Sequence, residues 1–193
     1  DQSNQTVDAG RVVAGLRGAL GKTGWDYDVS LTSSNSKGDY TFETFLTDRL
    51  AQSLNVVRNS SGGFNCVNPA NGCVAAPALT PGVIGGNLPA EWVKYIFVPV
   101  TGVTKYKEDV LTASVTGPVF NLPYGKVKAA FGAEFRKLSI DDTPPADSIA
   151  GNLYGFTSAV PTRGSDKATD VFGEVEVPLL KNLPFAQEVT VNA

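Results

Sequence analysis

The chain has 193 residues, with 16 Lys and Arg against 19 Asp and Glu, and carries a formal charge of −3 without a basic block, so a nucleic-acid backbone is disfavoured as a partner. It contains no His and only two Cys, which removes imidazole-based triads, His-ligated zinc and haem, and any site needing four thiolates. No apolar run approaches the roughly 20 residues of a membrane helix, and the absence of Met predicts a chain that is processed or cut from something longer.

The amino end, Asp1 to Asp8, is polar and has none of the sections of a signal peptide. Val12 to Leu20 then alternates, with Val12, Ala14, Leu16, Gly18 and Leu20 facing one way, and Gly21 to Gly24 is a tight turn. The clearest period of two follows at Trp25 to Leu31, where every odd position is apolar and every even one polar, so a strand with one apolar face is predicted. Next comes a long connection, Thr32 to Lys105. Within it, Phe42, Phe45, Leu46, Leu50, Leu54 and Val57 recur at helical spacing, with Asp39 or Thr41 as a cap and Glu43 in the first turn, which predicts an amphipathic helix. A second short helix is expected to start at Pro89 and run through Tyr95.

Between the two predicted helices, Cys66 and Cys73 are separated by six residues that include Asn68-Pro69 and Asn71-Gly72, both strong turn formers. The segment can fold back and bring the sulfurs together, so a disulfide in an oxidising compartment is expected, with two free thiols as the competing reading. The spacing is not that of a redox-active Cys-x-x-Cys pair.

Alternation returns at Val110 to Val119, with Leu111, Ala113, Val115, Gly117 and Val119 on one side, and most strongly at Lys126 to Phe135, with Val127, Ala129, Phe131, Ala133 and Phe135. Asn121 to Gly125 is a tight turn between them, Asp141 to Ala168 is long, and Thr169 to Val177 alternates again through Val171, Gly173, Val175 and Val177. After a short connection, Pro178 to Ala186, a sixth strand begins at Glu188. Connections that alternate short and long, joining segments of about ten residues, are built into an outer-membrane barrel. Trp25, Phe120, Tyr124 and Phe185 gather near the short turns, as an interfacial girdle would. The polar positions of such a wall give the lumen-facing candidates Asp26, Asp28, Lys128, Glu134, Arg136, Asp170, Glu174 and Glu176. Their mixed signs point to hydrogen-bonded ion pairs along a wet wall.

Several stretches carry a likeness beyond period: Trp25-Asp26-Tyr27-Asp28, the Cys66 to Cys73 loop, Val115-Thr116-Gly117-Pro118-Val119-Phe120-Asn121-Leu122-Pro123-Tyr124-Gly125-Lys126-Val127 leading to Gly132-Ala133-Glu134-Phe135-Arg136, and Asp170 to Leu180. In order and spacing, from about Arg11 onward, the sequence resembles the TonB-dependent receptors of the Gram-negative outer membrane. The resemblance implies an all-β fold: a segment of an antiparallel up-and-down transmembrane β-barrel, with short periplasmic turns and long extracellular loops containing short helices. Residues 1–193 would form about six strands of that barrel domain, with the plug and the remaining strands absent. The implied function is active transport, in which loops capture a scarce nutrient, either a carbohydrate or an iron chelate, and import draws energy from the TonB complex through the missing plug. The implied partners are outer-membrane lipid, the TonB complex and a small-molecule or oligosaccharide ligand. No nucleic acid, cofactor, metal or catalytic residue is expected.

Two rival classes follow from the same residues. One is a soluble or surface-attached all-β binding module of adhesin type, using the Cys66 to Cys73 loop and the helices as its recognition surface. The other is an enzyme using Asp141 and Asp142, but adjacent carboxylates point to opposite faces of an extended chain, and Thr143-Pro144-Pro145 after them reads as a solvated loop. Neither Gly62-Gly63 nor Gly85-Gly86 is followed by a phosphate-loop pattern.

Overall fold

A computed structural model describes residues 3–193. The chain is dominated by antiparallel strands, so the all-β expectation holds. In chain order the elements are β1 (Ser3–Ala19), β2 (Asp26–Phe45), α1 (Thr47–Leu54), β3 (Val56–Arg58), β4 (Phe64–Cys66), α2 (Pro81–Ile84), α3 (Ala90–Ile96), β5 (Phe97–Leu122), β6 (Gly125–Thr143), α4 (Ala146–Ile149), β7 (Thr162–Leu183) and β8 (Ala186–Asn192). Six strands form one sheet in the order β1-β2-β5-β6-β7-β8, and β3 and β4 form a separate hairpin. Every predicted strand is present, and all but β8 run well beyond the predicted bounds. The sheet is open, with β1 and β8 at its edges.

The connections explain the strand order. Leu20 N–H donates to the Trp25 carbonyl at 2.7 Å, closing a tight turn whose Gly21 (φ 60°) and Gly24 (φ 78°) take left-handed backbone that a side chain disfavours. At the last turn Pro184 fixes the first corner, and Phe185, at φ 69°, occupies the second, the arrangement of a type II turn. Prolines inside strands cannot donate to the ladder, and the β7–β8 register shifts at one of them, between Pro178 and Leu180.

The chain divides into two compact units. The first comprises Asp1–Asp8, Lys37–Lys105 and Asp141–Arg163. Its core is Leu46, Val100 and Leu153, with Phe42 and Val98 packed on it. Here the predicted helix over Phe42 to Val57 is corrected: Phe42 and Phe45 belong to β2, and only Thr47–Leu54 is helical. Phe42, Thr44 and Leu46 also fit a period of two, and Thr44 and Leu46 are buried. Tertiary packing of that strand face decides against the helix. Nor do Asp39 or Thr41 cap α1. Asn152 does so from the second long connection, its Oδ1 accepting from Asp48 N–H at 3.0 Å and its carbonyl from Thr47 N–H at 2.8 Å. The long connection therefore spans Leu46 to Ile96 rather than Thr32 to Lys105. The helix expected at Pro89 is α3, with Pro89 at its N-cap and Glu91 in its first turn.

The second unit comprises Ala9–Ser36, Tyr106–Ile140 and Gly164–Ala193. It is sheet throughout, and among its described residues the only buried apolar ones are Val127 and Ala129. Both were expected on an uncovered face. On that face large side chains fold over small neighbours, as the Trp25 ring does over Gly117.

Candidate functional site

The two faces of the second unit differ in chemistry, and cross-strand contacts set them. On the apolar face the Trp25 ring lies over Gly117 and stacks on Phe131, with centroids 6.4 Å apart and planes 10° from parallel. Tyr27 covers Gly18, and Phe131 lies beside Gly173. Aromatic rings resting on glycines of the next strand fill the space a missing side chain leaves and pin the register. Val12, Leu16, Leu31, Leu111, Phe131, Phe135 and Val171 stay exposed, from 43% for Phe135 to 82% for Val171.

The opposite face gathers all eight candidates. Asp26 and Asp28 line a shallow cleft with Arg17, Ser114 and Thr116. Lys128, Glu174 and Glu176 line another with Thr116, and Lys128 Nζ approaches Glu176 Oε1 at 3.4 Å. Arg136 Nη2 donates to Glu134 Oε1 at 2.8 Å, and Thr112 Oγ1 donates to Glu134 Oε2 at 3.3 Å. Asp170 and Glu108 add their charges to the surroundings of Arg136. Phe172, from the same row as Asp170 and Glu174, lies over Gly132. Arg17, Thr112, Ser114 and Thr116 belong to this surface although sequence reading did not single them out. The signal was present, since each sits at a polar position of its alternating stretch. Such a surface offers paired charges and hydroxyls to water and polar solutes. It does not isolate a carboxylate or nucleophile, and among the described residues no cluster of three or more His, Cys, Asp or Glu could hold a metal.

In the first unit aromatic groups of β2 and β5 meet those of the second long connection. Phe45 contacts Phe97 edge-on at 5.0 Å and stacks with Tyr154 at 4.8 Å, while Phe42 packs against Phe156 at 5.8 Å. Tyr154 and Phe156 remain more than half exposed. Arg49 lies over the Tyr95 ring at 5.5 Å and donates to the Tyr95 carbonyl at 3.0 Å, tying α1 to α3. Burial raises the Tyr95 hydroxyl above its ordinary value, against the lowering effect of Arg49. Tyr40 is likewise raised, first by burial and then by the charge of Asp142. Asp141 and Asp142 lie in β6, which corrects the expectation of a solvated loop. Asp141 accepts from Arg163 Nε at 3.0 Å and Asp142 from the Thr104 hydroxyl, on opposite faces of the strand. The ladder continues through Thr143, so strand pairing outweighs the two prolines that follow. The pair is thus divided between two partners and cannot act on one bond.

Cys66 and Cys73 are bonded, with Cα atoms 6.3 Å apart. Pro69 and Asn71, the latter at φ 58°, turn the chain between them, and Gln52 Nε2 donates to the carbonyls of Asn68 and Ala70. Thiol titration of the unfolded, unreduced chain is expected to find no free thiol. Reduction should loosen this loop by about 2.5 kcal/mol in the chain-entropy account while leaving the six-stranded sheet intact; loss of the sheet signal by circular dichroism would contradict that separation.

Among the described residues no helix is long and apolar enough to cross a membrane, which says nothing of crossing by strands. No protein-family model matches the sequence, and a search of curated proteins finds no match.

Proposed function

We propose that this chain is a wall segment of a transmembrane β-barrel in the outer membrane of a Gram-negative bacterium, belonging to an active-transport receptor of the TonB-dependent kind. The observation that carries this reading is the chemistry of the second unit: an uncovered apolar face backed by a face of paired charges, with almost no core between. Seven half-exposed Val, Leu and Phe side chains leave on the order of 500 Å² of apolar surface, and covering it is worth roughly 12 kcal/mol. A soluble domain of this size would use that surface for its own core. Lipid covers it instead, and the face bearing Asp26, Asp28, Lys128, Glu134, Arg136, Asp170, Glu174 and Glu176 lines the lumen. The open edges at β1 and β8 continue into further strands. The short turns then mark the periplasmic side, where Tyr124 and Phe185 are exposed at interfacial height. The long connections, with the disulfide and the Tyr154 and Phe156 rings, lie outside and meet the nutrient, a carbohydrate or an iron chelate. Energy for import reaches the barrel from the TonB complex through a plug.

An adhesin-like soluble module is the reading to be excluded, and detergent dependence separates the two. Purified without detergent, the chain should not give a monodisperse monomer in light scattering, because an apolar face beside unpaired strand edges templates association. A sharp 20.3 kDa species with cooperative unfolding would reject the membrane assignment.

A further inference from the structure

The apolar face of the second unit ends in a row of lysines, and this row has no account in the transport role. The contact of Ser33 with Asp109 at 2.6 Å fixes β2 against β5, and that of Thr112 with Glu134 fixes β5 against β6. Lys128 with Glu176, Phe172 with Gly132 and Phe131 with Gly173 fix β6 against β7. Carried along the strands, this register places Ser33, Asp109, Lys137 and Lys167 in one line across four strands, on the same face as Leu111 and Phe135 and immediately beyond them. Lys107 joins the line from the next position, its Nζ 3.3 Å from Asp109 Oδ2.

The charges in this line do not balance. Asp109 accepts from Ser33 and is paired with Lys107, and it also feels Lys137. Lys137 and Lys167 then stand directly opposite each other on neighbouring strands, and among the described residues neither has a salt-bridge partner. Like charges in that position destabilise a sheet. Three lysines against one carboxylate also run counter to the chain's net charge of −3. Asp109 lies about ten residues from Val119 near the short turn, roughly 33 Å along a strand. At the tilt of a membrane strand this is a height of about 25 Å, the thickness of the apolar band. The lysines therefore sit where hydrocarbon gives way to headgroups.

We propose that Lys107, Lys137 and Lys167 form a docking row for phosphate-bearing lipid headgroups in the leaflet farther from the short turns, with an anionic phosphate bridging Lys137 and Lys167. This rests on the membrane reading above, and the test separates the two. The full chain is mixed with vesicles of phosphatidylcholine alone, or of phosphatidylcholine with 30% phosphatidylglycerol, and its partition is measured by flotation. The unaltered chain should float with both and partition more strongly into the anionic vesicles. Lys137→Gln with Lys167→Gln should keep the neutral-vesicle value and lose about fivefold per lysine of the anionic gain. Lys137→Arg with Lys167→Arg should retain that gain, and Arg58→Gln, which removes one positive charge on the β3–β4 hairpin, should leave it unchanged. Moving from 50 to 500 mM salt should remove it. An anionic gain equal in the unaltered and Gln-substituted chains overturns the docking row while leaving the membrane reading in place. So does inorganic phosphate protecting the unaltered chain from urea in neutral vesicles as well as the anionic lipid does. Failure to float with either vesicle overturns both.

Discussion

Phe131→Asp should destabilise the chain reconstituted in lipid vesicles by about 2–4 kcal/mol, several times the effect of Lys128→Asp three positions earlier on the same strand. Phe131 sits midway along its apolar stretch, half exposed, stacked on Trp25 and lying beside Gly173. A carboxylate there loses the ring contact, worth about 0.5–1.5 kcal/mol, and under the proposed lipid-facing orientation brings a charge to a depth where no water solvates it. Lys128 faces the other way. Its partner Glu176 is nearly half exposed and the pair is loose at 3.4 Å, so reversing the charge costs only a screened, solvated interaction. The comparison is made by urea titration in lipid vesicles, reading tryptophan emission. Equal costs at the two positions would place water on both faces and return the second unit to the soluble class.

This contrast is legible in the sequence because a strand exposes its period of two directly. Trp25 to Leu31 and Lys126 to Phe135 are read correctly for that reason, and the face of each of the eight charged candidates follows from parity alone. Strand length was not legible. Beyond Leu31 the alternating positions of β2 turn polar on both faces, through Ser33, Ser34, Asn35 and Ser36, and the hydrophobic signal stops although the ladder continues to Phe45. β5 hides in the same way, since Thr104 to Asp109 carries charge and hydroxyl at successive positions.

The error over Phe42 to Val57 has a different origin. Apolar residues at 42, 45, 46, 50, 54 and 57 satisfy a helical template, but Phe42 and Leu46 also satisfy a strand template, and the sequence holds nothing local to arbitrate. The deciding contacts come from far along the chain: Leu153 bridges Leu46, Phe156 packs on Phe42, and Asn152 supplies the cap that begins α1. Capping by a residue some hundred positions away is invisible to any rule that looks one turn upstream. The disulfide was legible for the opposite reason. Its turn chemistry lies entirely between the two cysteines.

The glycines of the apolar face offer the sharpest test of how that face is built. Gly117→Ala should cost about 1–3 kcal/mol, although the same change on an open strand is neutral or slightly stabilising, because a Cβ at 117 overlaps the Trp25 ring. Backbone strain is not the cause, since Gly117 has no positive φ and alanine fits its extended conformation. The ring must move, and moving it breaks the stack on Phe131 as well. Trp25→Ala removes the obstacle, so Gly117→Ala placed in that background should become neutral or slightly stabilising, as alanine suits a strand better than glycine. The coupling energy of the double-mutant cycle should therefore exceed about 1 kcal/mol, and adding Phe131→Leu to the unaltered chain should reproduce part of the Gly117→Ala cost. Additive single effects would mean that Trp25 does not rest on Gly117. In that case the ring has turned away from the sheet face, and the stack on Phe131 is lost with it.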